Sequence, residues 1–254
     1  MNLDSLLSLA LDASKKAAWA ILREKTQFQI WQKEDGSPLS SADLAANEIL
    51  CDELAKSDIA LCSEEKPLEY AKRKDLSAFW LIDPLDGTKS FIKGSDEYCI
   101  LVALIAGKRP VLSIITKPST DESYYAHEKS AVYKDDKALC FDKKAFETHK
   151  NVALMSVHHP NECNAEFLAK NSLLPVKISS ALKFIALLEG KAGIYHRFES
   201  LHSWDIAAGD FLLNQNGGFM GDLQGKTISY NEPSFLCPPF LATSQQEFAR
   251  KIIF

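Results

Sequence analysis

The chain has 254 residues, 46% of them apolar and 25% charged, with no low-complexity tract and a formal net charge of −5. That length buries a substantial core. The acidic balance leaves no surplus of Lys and Arg to neutralise a phosphate backbone, which argues against a general binder of nucleic-acid polymers. A small phosphorylated ligand stays open, because bound cations reverse a local field.

In chain order, Leu3, Leu6, Leu7, Ala10, Ala13, Ala17, Ala20 and Ile21 recur at spacings of three and four, which predicts an amphipathic helix. Asp35-Gly36-Ser37-Pro38 predicts a turn. Ser40 or Ser41 caps a second helix, with Leu44, Ala45, Ile49 and Leu54 expected on its apolar side. Ile59 to Cys62 reads as a short buried strand ending at Glu64-Glu65. A charged loop, Lys66 to Asp75, leads to the strand Ala78–Ile82, expected to end at Asp83 in a turn.

From Tyr98 the texture becomes β-rich. Tyr98–Ala106, Val111–Thr116, Ser123–Ala126 and Ala131–Tyr133 predict an antiparallel meander. After a polar stretch around 141–150, strands are expected at Val152–Val157, Val176–Ile178 and Gly193–Tyr195. Helices are expected at Ser180–Glu189 and Trp204–Asn214, the second ending at Asn216-Gly217-Gly218. A strand near Phe240–Ala242 and a helix from about Ser244 close the pattern. The sum is an α+β fold of layered helices and sheets, with no internal repeat. It is read as one domain, residues 1–145 α+β with the meander and 146–254 α/β.

Four acidic clusters could share a cleft: Asp43, Glu64-Glu65, Asp83 with Asp86, and Asp205. Alone, Asp205 reads as a first-turn helix stabiliser, Glu64-Glu65 as a solvated loop start and Asp43 as an exposed helix residue. Asp83-Pro84-Leu85-Asp86 alone could be an ordinary turn. Together with Gly87-Thr88, whose small residue and amides suit a phosphate, they point to hard cations and a phosphoryl group.

Other chemistries lack a signature. There is no Gly-x-Ser-x-Gly elbow, dinucleotide fingerprint or Walker loop. His158 and His159 would point to opposite faces of a strand, and His127, His149, His196 and His202 form no His-x-x-x-His pair. Of six cysteines (51, 62, 99, 140, 163 and 237) none pairs as Cys-x-x-Cys, and 51, 62, 99 and 237 adjoin apolar residues. Reduced thiols in or near a core are expected. The stretch to Ile30 matches neither a leader nor a bilayer-crossing segment, so the expectation is a cytoplasmic protein, with peripheral membrane association left open.

Glu64-Glu65, Asp83-Pro84-Leu85-Asp86-Gly87-Thr88 and Trp204-Asp205-Ile206-Ala207-Ala208-Gly209 together resemble the signature of the Mg²⁺-dependent, lithium-sensitive inositol monophosphatase-like phosphatases. Within them, the stretches Lys33–Asp43, Asp86–Ile92, Ser180–Phe184 and Leu188–Arg197 look most like the CysQ-type 3′(2′),5′-bisphosphate nucleotidases. The resemblance implies an α-β-α-β-α sandwich of the inositol monophosphatase and sugar phosphatase type. It also implies removal of the 3′-phosphate of adenosine 3′,5′-bisphosphate, a by-product of sulfate assimilation, by metal-activated water.

Carried over position by position, the resemblance implies that Glu64, Asp83 and the Leu85 carbonyl hold one Mg²⁺. Asp83, Asp86 and Asp205 hold a second, and Glu64 faces a weaker third. Asp43 and Thr88, with Glu64, are the expected catalytic set. Gly87, Thr88, Lys89, Ser180, Lys183, Arg197 and Asp205 are the expected substrate contacts. On residue type alone, Lys183 and Arg197 would instead be solvated surface charges. The chain departs from the nucleotidase pattern at Ser90, where Glu is usual, and in the run His196–Ser203, whose last part is closer to the inositol monophosphatase version.

Inositol monophosphate and fructose 1,6-bisphosphate are the alternative substrates, and a non-catalytic phosphometabolite-binding protein is the alternative class. A missing metal carboxylate or missing Thr88 would mark the latter, and none is missing. No feature of the chain decides between monomer and homodimer.

Overall fold

The computed structural model describes residues 2–157 and 163–254, so the expectation for His158 and His159 lies outside the described residues. Helix α1 (Leu3–Glu24) buries Leu3, Leu7, Ala10, Ala13, Ala17 and Ile21, the stripe its spacing predicts. Strands β1 (Ile30–Gln32) and β2 (Pro38–Ser40) form a small antiparallel hairpin around the Asp35–Pro38 turn. Ser40 caps α2 (Ser41–Leu54), as expected.

The inward face of α2 differs from the expected one. Ala42, Asp43, Ala46, Leu50 and Leu54 are buried, while Leu44 is exposed. Small residues let α2 approach its neighbours closely, and the face that carries them also carries Asp43.

After β3 (Ala60–Ser63), the charged 66–75 stretch is not a plain loop. It holds a short helix, α3 (Tyr70–Arg73), whose Arg73 side chain is fully buried. Arg73 donates to Asn231 Oδ1 at 2.7 Å and to the carbonyls of Glu232 and Leu68 at 2.5 and 3.2 Å. Strand β4 (Ala78–Asp86) runs past Asp83 rather than ending there. Its register against the next strand shifts between Asp83 and Asp86, the irregularity that accommodates Pro84. Gly87, at φ 101°, turns the chain into α4 (Thr88–Ile92).

The meander follows as β5 (Cys99–Ala106), β6 (Arg109–Lys117), β7 (Glu122–His127), β8 (Tyr133–Lys134) and β9 (Lys137–Ala138). These and β3–β4 make a seven-stranded sheet in sequence order, antiparallel except for β3 beside β4. The polar 141–150 stretch holds α5 (Lys143–His149), whose one buried residue, Phe146, leaves no periodic signal.

The remaining elements are β10 (Val152–Met155), α6 (Cys163–Lys170), β11 (Leu174–Lys177), α7 (Leu182–Leu188), β12 (Ile194–Arg197), α8 (Ser203–Gln215), β13 (Phe219–Asp222), β14 (Phe240–Thr243) and α9 (Gln246–Ala249). Their five strands form a mixed sheet in the order β11-β10-β12-β14-β13. Sequence reading anticipates neither α6 nor β13; the latter is four residues directly after the Gly217-Gly218 break.

Strand parity sorts the layers. Trp80, Ile82, Ile100, Val102 and Ile114 face α1 and α2, while Phe79, Leu81, Leu101, Ala103 and Ile115 face α7 and α8. On the far side of α7 and α8 lie Leu154, Tyr195, Met220 and Phe240 of the second sheet. Ala153, Ile194 and Leu241 then face α6 and α9. The order is α-β-α-β-α, and one buried cluster runs through both sheets. Cys62, Cys99 and Cys237 are buried free thiols, as expected. No helix among the described residues is long and apolar enough to cross a membrane.

Candidate active site

The acidic clusters meet where the two sheets converge on α8. Asp83 keeps the parity of Phe79 and Leu81, so it points into the layer occupied by α8; it is 1% exposed. Glu64 lies one residue beyond β3, its N–H donating to the Ile82 carbonyl at 2.9 Å, which brings it beside Asp83. Asp205 sits in the first turn of α8 and accepts from the His202 N–H at 2.9 Å. Its helix-capping role is real, and it faces the other carboxylates as well.

The electrostatics of this group are unfavourable without a counter-charge. Burial, then the charges of Glu64, Asp86 and Asp205, pushes the Asp83 carboxyl well above the ordinary carboxylate range. Burial and the charges of Asp86 and Glu64 do the same to Asp205. Burial raises Asp86 to about 6, with Lys183 and the Ala181 N–H opposing. As they stand, no three His, Cys, Asp or Glu side chains among the described residues are set to grip one ion. Glu64 and Glu65 are instead both drawn to Lys33 Nζ, at 2.7 and 2.8 Å. Crowded carboxylates offering only oxygen suit a hard divalent cation such as Mg²⁺.

Beside them is a second pair. Thr88 Oγ1 donates to Asp43 Oδ1 at 2.8 Å and lies 3.1 Å from the Leu85 carbonyl. Asp43 Oδ2 accepts from Ser40 N and Ser40 Oγ at 2.8 and 2.5 Å, so both its oxygens are aimed. Burial raises the Asp43 carboxyl, with the Ser40 and Thr88 hydrogen bonds opposing. Far from being an exposed helix residue, Asp43 is 2% exposed.

The opposite wall of the cleft comes from α7 and β12. Lys183 and Arg197 are buried, which corrects the surface reading. Lys183 Nζ donates to the carbonyls of Ile178 and Ser180 at 3.0 and 2.6 Å and lies 5.2 Å from the centre of the Tyr195 ring. Burial lowers it to about 8 against the pull of Asp86. Arg197 Nε lies 3.2 Å from Glu199 Oε2. Ser180 and Gly87 line the cleft, and Lys89 lies exposed at its edge.

Sequence reasoning missed several cleft residues, among them Ser37, Ser156, Ser179, Tyr195 and Leu201. Lys33, also absent from the predicted site residues, is carried by the β1–β2 hairpin to Glu64 and Glu65. At Ser90, where nucleotidases usually carry Glu, the hydroxyl donates to Ser179 Oγ at 2.7 Å.

The arrangement has clear relatives. The family model described as the inositol monophosphatase family matches residues 2–253. The 3′(2′),5′-bisphosphate nucleotidase CysQ of Salmonella typhimurium is 35% identical over 216 residues, 84% of this chain and 87% of the relative. CysQ of Escherichia coli K12 is 32% identical over 242 residues, 94% of this chain and 98% of the relative. The crystal structure of CysQ from Bacteroides thetaiotaomicron superimposes with a TM-score of 0.81 at 27% identity, covering 95% of this chain and 98% of that one. The chain belongs to the inositol monophosphatase family.

Proposed function

We propose that the protein is a Mg²⁺-dependent phosphomonoesterase that hydrolyses the 3′-phosphate of adenosine 3′,5′-bisphosphate to give AMP and phosphate. The observation that carries this reading is the carboxylate set of buried Asp83 with half-buried Glu64, Asp86 and Asp205, lying between the Thr88–Asp43 pair and a wall with two buried cations. Those four carboxylates and the Leu85 carbonyl would hold two or three Mg²⁺ ions. Bound Mg²⁺ supplies Lewis-acid stabilisation of phosphoryl charge and acidifies water.

The chain's own groups do the rest. Because the Thr88 hydroxyl gives its proton to Asp43, its lone pairs are left to accept from and orient a water molecule. As that water gives a proton to Thr88 Oγ1, the Thr88 proton would pass along the same bond to Asp43, whose affinity for one burial has raised. The amides of Gly87 and Thr88 would grip the reacting phosphate. Lys183 and Arg197, with Ser180, would take the second phosphate; the planar Arg fork suits paired bonds to it.

The CysQ relatives favour the nucleotide over inositol monophosphate or fructose 1,6-bisphosphate. The complete carboxylate set and Thr88 disfavour a non-catalytic binding protein. We read the chain as one phosphatase domain, since one buried cluster runs through both sheets.

The test is phosphate release with Mg²⁺ across adenosine 3′,5′-bisphosphate, inositol 1-phosphate and fructose 1,6-bisphosphate. The expected result is the highest kcat/KM on the nucleotide, with inhibition by millimolar-range Li⁺ as in the family. A higher kcat/KM on either alternative would overturn the substrate, and no release from any would overturn the activity.

A further inference from the structure

The wall that faces Gly87 is segment 178–181, and it is held in an unusual way. Ser180 lies at φ 56°, a left-handed conformation that a serine keeps only when its surroundings enforce it. Two carboxylates grip the amides on either side of it. Glu97 Oε2 accepts from Ser179 N at 2.9 Å, and Asp86 Oδ2 accepts from Ala181 N. Ser90 Oγ braces the same turn through Ser179 Oγ at 2.7 Å. The fit is close: a Cβ on Gly87 would stand 2.8 Å from the Glu97 carbonyl oxygen and 3.2 Å from Ser180 Cβ. Lys183 is tied to this turn through the Ile178 and Ser180 carbonyls.

Asp86 has its own place among the acidic residues. Glu97 and Ser90 do not; their side chains brace the wall at Ser179, and the Glu97 charge also acts on Lys183. We propose that Glu97, braced by Ser90, is a positioning residue that fixes the Ser180–Lys183 wall against Gly87 and so sets the preference for substrates with a second phosphate. This rests on the function proposed above. The reacting phosphate belongs to the β4–α4 side of the cleft and the second phosphate to the wall. Loosening the wall therefore weakens the hold on the second phosphate and leaves the chemistry on the first in place.

The experiment compares adenosine 3′,5′-bisphosphate with adenosine 3′-monophosphate, which presents the same reacting group without the second phosphate. Steady-state kcat and KM are measured with Mg²⁺ for the wild type, Glu97→Ala, Glu97→Gln and Ser90→Ala. Losing a hydrogen bond to a charged acceptor in Glu97→Ala is expected to raise the bisphosphate KM about tenfold or more. Its kcat and its KM for the monophosphate are expected to stay within about threefold. Glu97→Gln keeps an acceptor and is expected to restore most of the wild-type KM, and Ser90→Ala gives a smaller rise in the same direction.

A wild type that prefers the bisphosphate, combined with an Ala variant whose two KM values are unchanged or rise in step, overturns the positioning role alone. A wild type with no preference for the bisphosphate overturns the substrate reading, and the role of the wall with it. Should Glu97→Ala fail to fold, Ser90→Ala decides, and an unchanged bisphosphate KM there overturns the proposal.

Discussion

Thr88 of α4 and Asp43 of α2, 45 residues apart, are joined by a 2.8 Å hydrogen bond whose acceptor is fixed from behind by Ser40. Thr88→Val removes the hydroxyl with little change of shape. It is expected to lower kcat by about 10²–10⁴, the range for lost acid–base assistance, with KM little altered. Asp43→Asn should behave alike. Steady-state kinetics decides, and a Thr88→Val enzyme with wild-type kcat would remove the pair from the mechanism.

Asp83→Asn and Asp86→Asn are expected to abolish turnover while the fold survives. The amide replaces a carboxyl that burial already disfavours in its charged form, so the metal-free variants should melt at or above the wild-type temperature. Mg²⁺ should raise the melting temperature of the wild type but not of Asp83→Asn. Measurable turnover in Asp83→Asn would count against metal assistance through this residue.

The raised carboxyls also set a pH dependence. Each binds its proton more tightly folded than unfolded, so its contribution to stability is complete below the ordinary carboxylate range and is lost as pH rises through the folded value, about 6 for Asp86. In EDTA the protein is therefore expected to melt lower at pH 8 than at pH 5. Added Mg²⁺ should close most of that gap. Thermal melts at both pH values check this, and a higher EDTA melting temperature at pH 8 would contradict it.

Lys183 works in the other direction. Burial lowers it to about 8, so its positive charge is present at neutral pH and lost as pH climbs through that value. On the bisphosphate, kcat/KM is expected to fall above about pH 8, and Lys183→Gln should lose that limb. A pH profile that stays flat to pH 9.5, roughly one and a half units beyond the inflection, would separate Lys183 from substrate binding.

Gly209, inside α8, lies against Phe184 of α7; an added Cβ would stand 2.2 Å from the Phe184 ring. Gly209→Ala is expected to cost about 1–3 kcal/mol through overpacking, despite the better helix propensity of alanine. Since Phe184 also lines the cleft, KM should rise as well. Denaturant melts and kinetics on the variant check both effects.

Much of this was legible in the chain, for identifiable reasons. The α1 stripe carries its own periodicity, the β4–β7 runs are apolar and β-rich between turn residues, and the carboxylates of the centre stand in a recognisable order. The face of α2 was misread because its buried residues are Ala42 and Ala46, whose small side chains give little hydrophobic signal beside Leu44. Lys183 and Arg197 looked solvated because the groups that accept from Lys183 are backbone carbonyls, which no sequence displays. The extension of β4 to Asp86 depends on pairing with β5, so the Pro84 that seemed to end a strand sits within an irregular stretch of it.

Helix α8 lies between the two sheets, and it brings Asp205 to a centre whose other acids all precede Cys99 in the chain. A nascent chain leaving the ribosome therefore displays Asp43, Glu64, Asp83 and Asp86 long before the segment that completes them. Until Ser203–Gln215 emerges, the apolar face formed by Phe79, Leu81, Leu101 and Ile115 has no α8 to cover it. Completion of the catalytic centre and covering of that apolar face by α8 therefore wait for the same late segment of the chain.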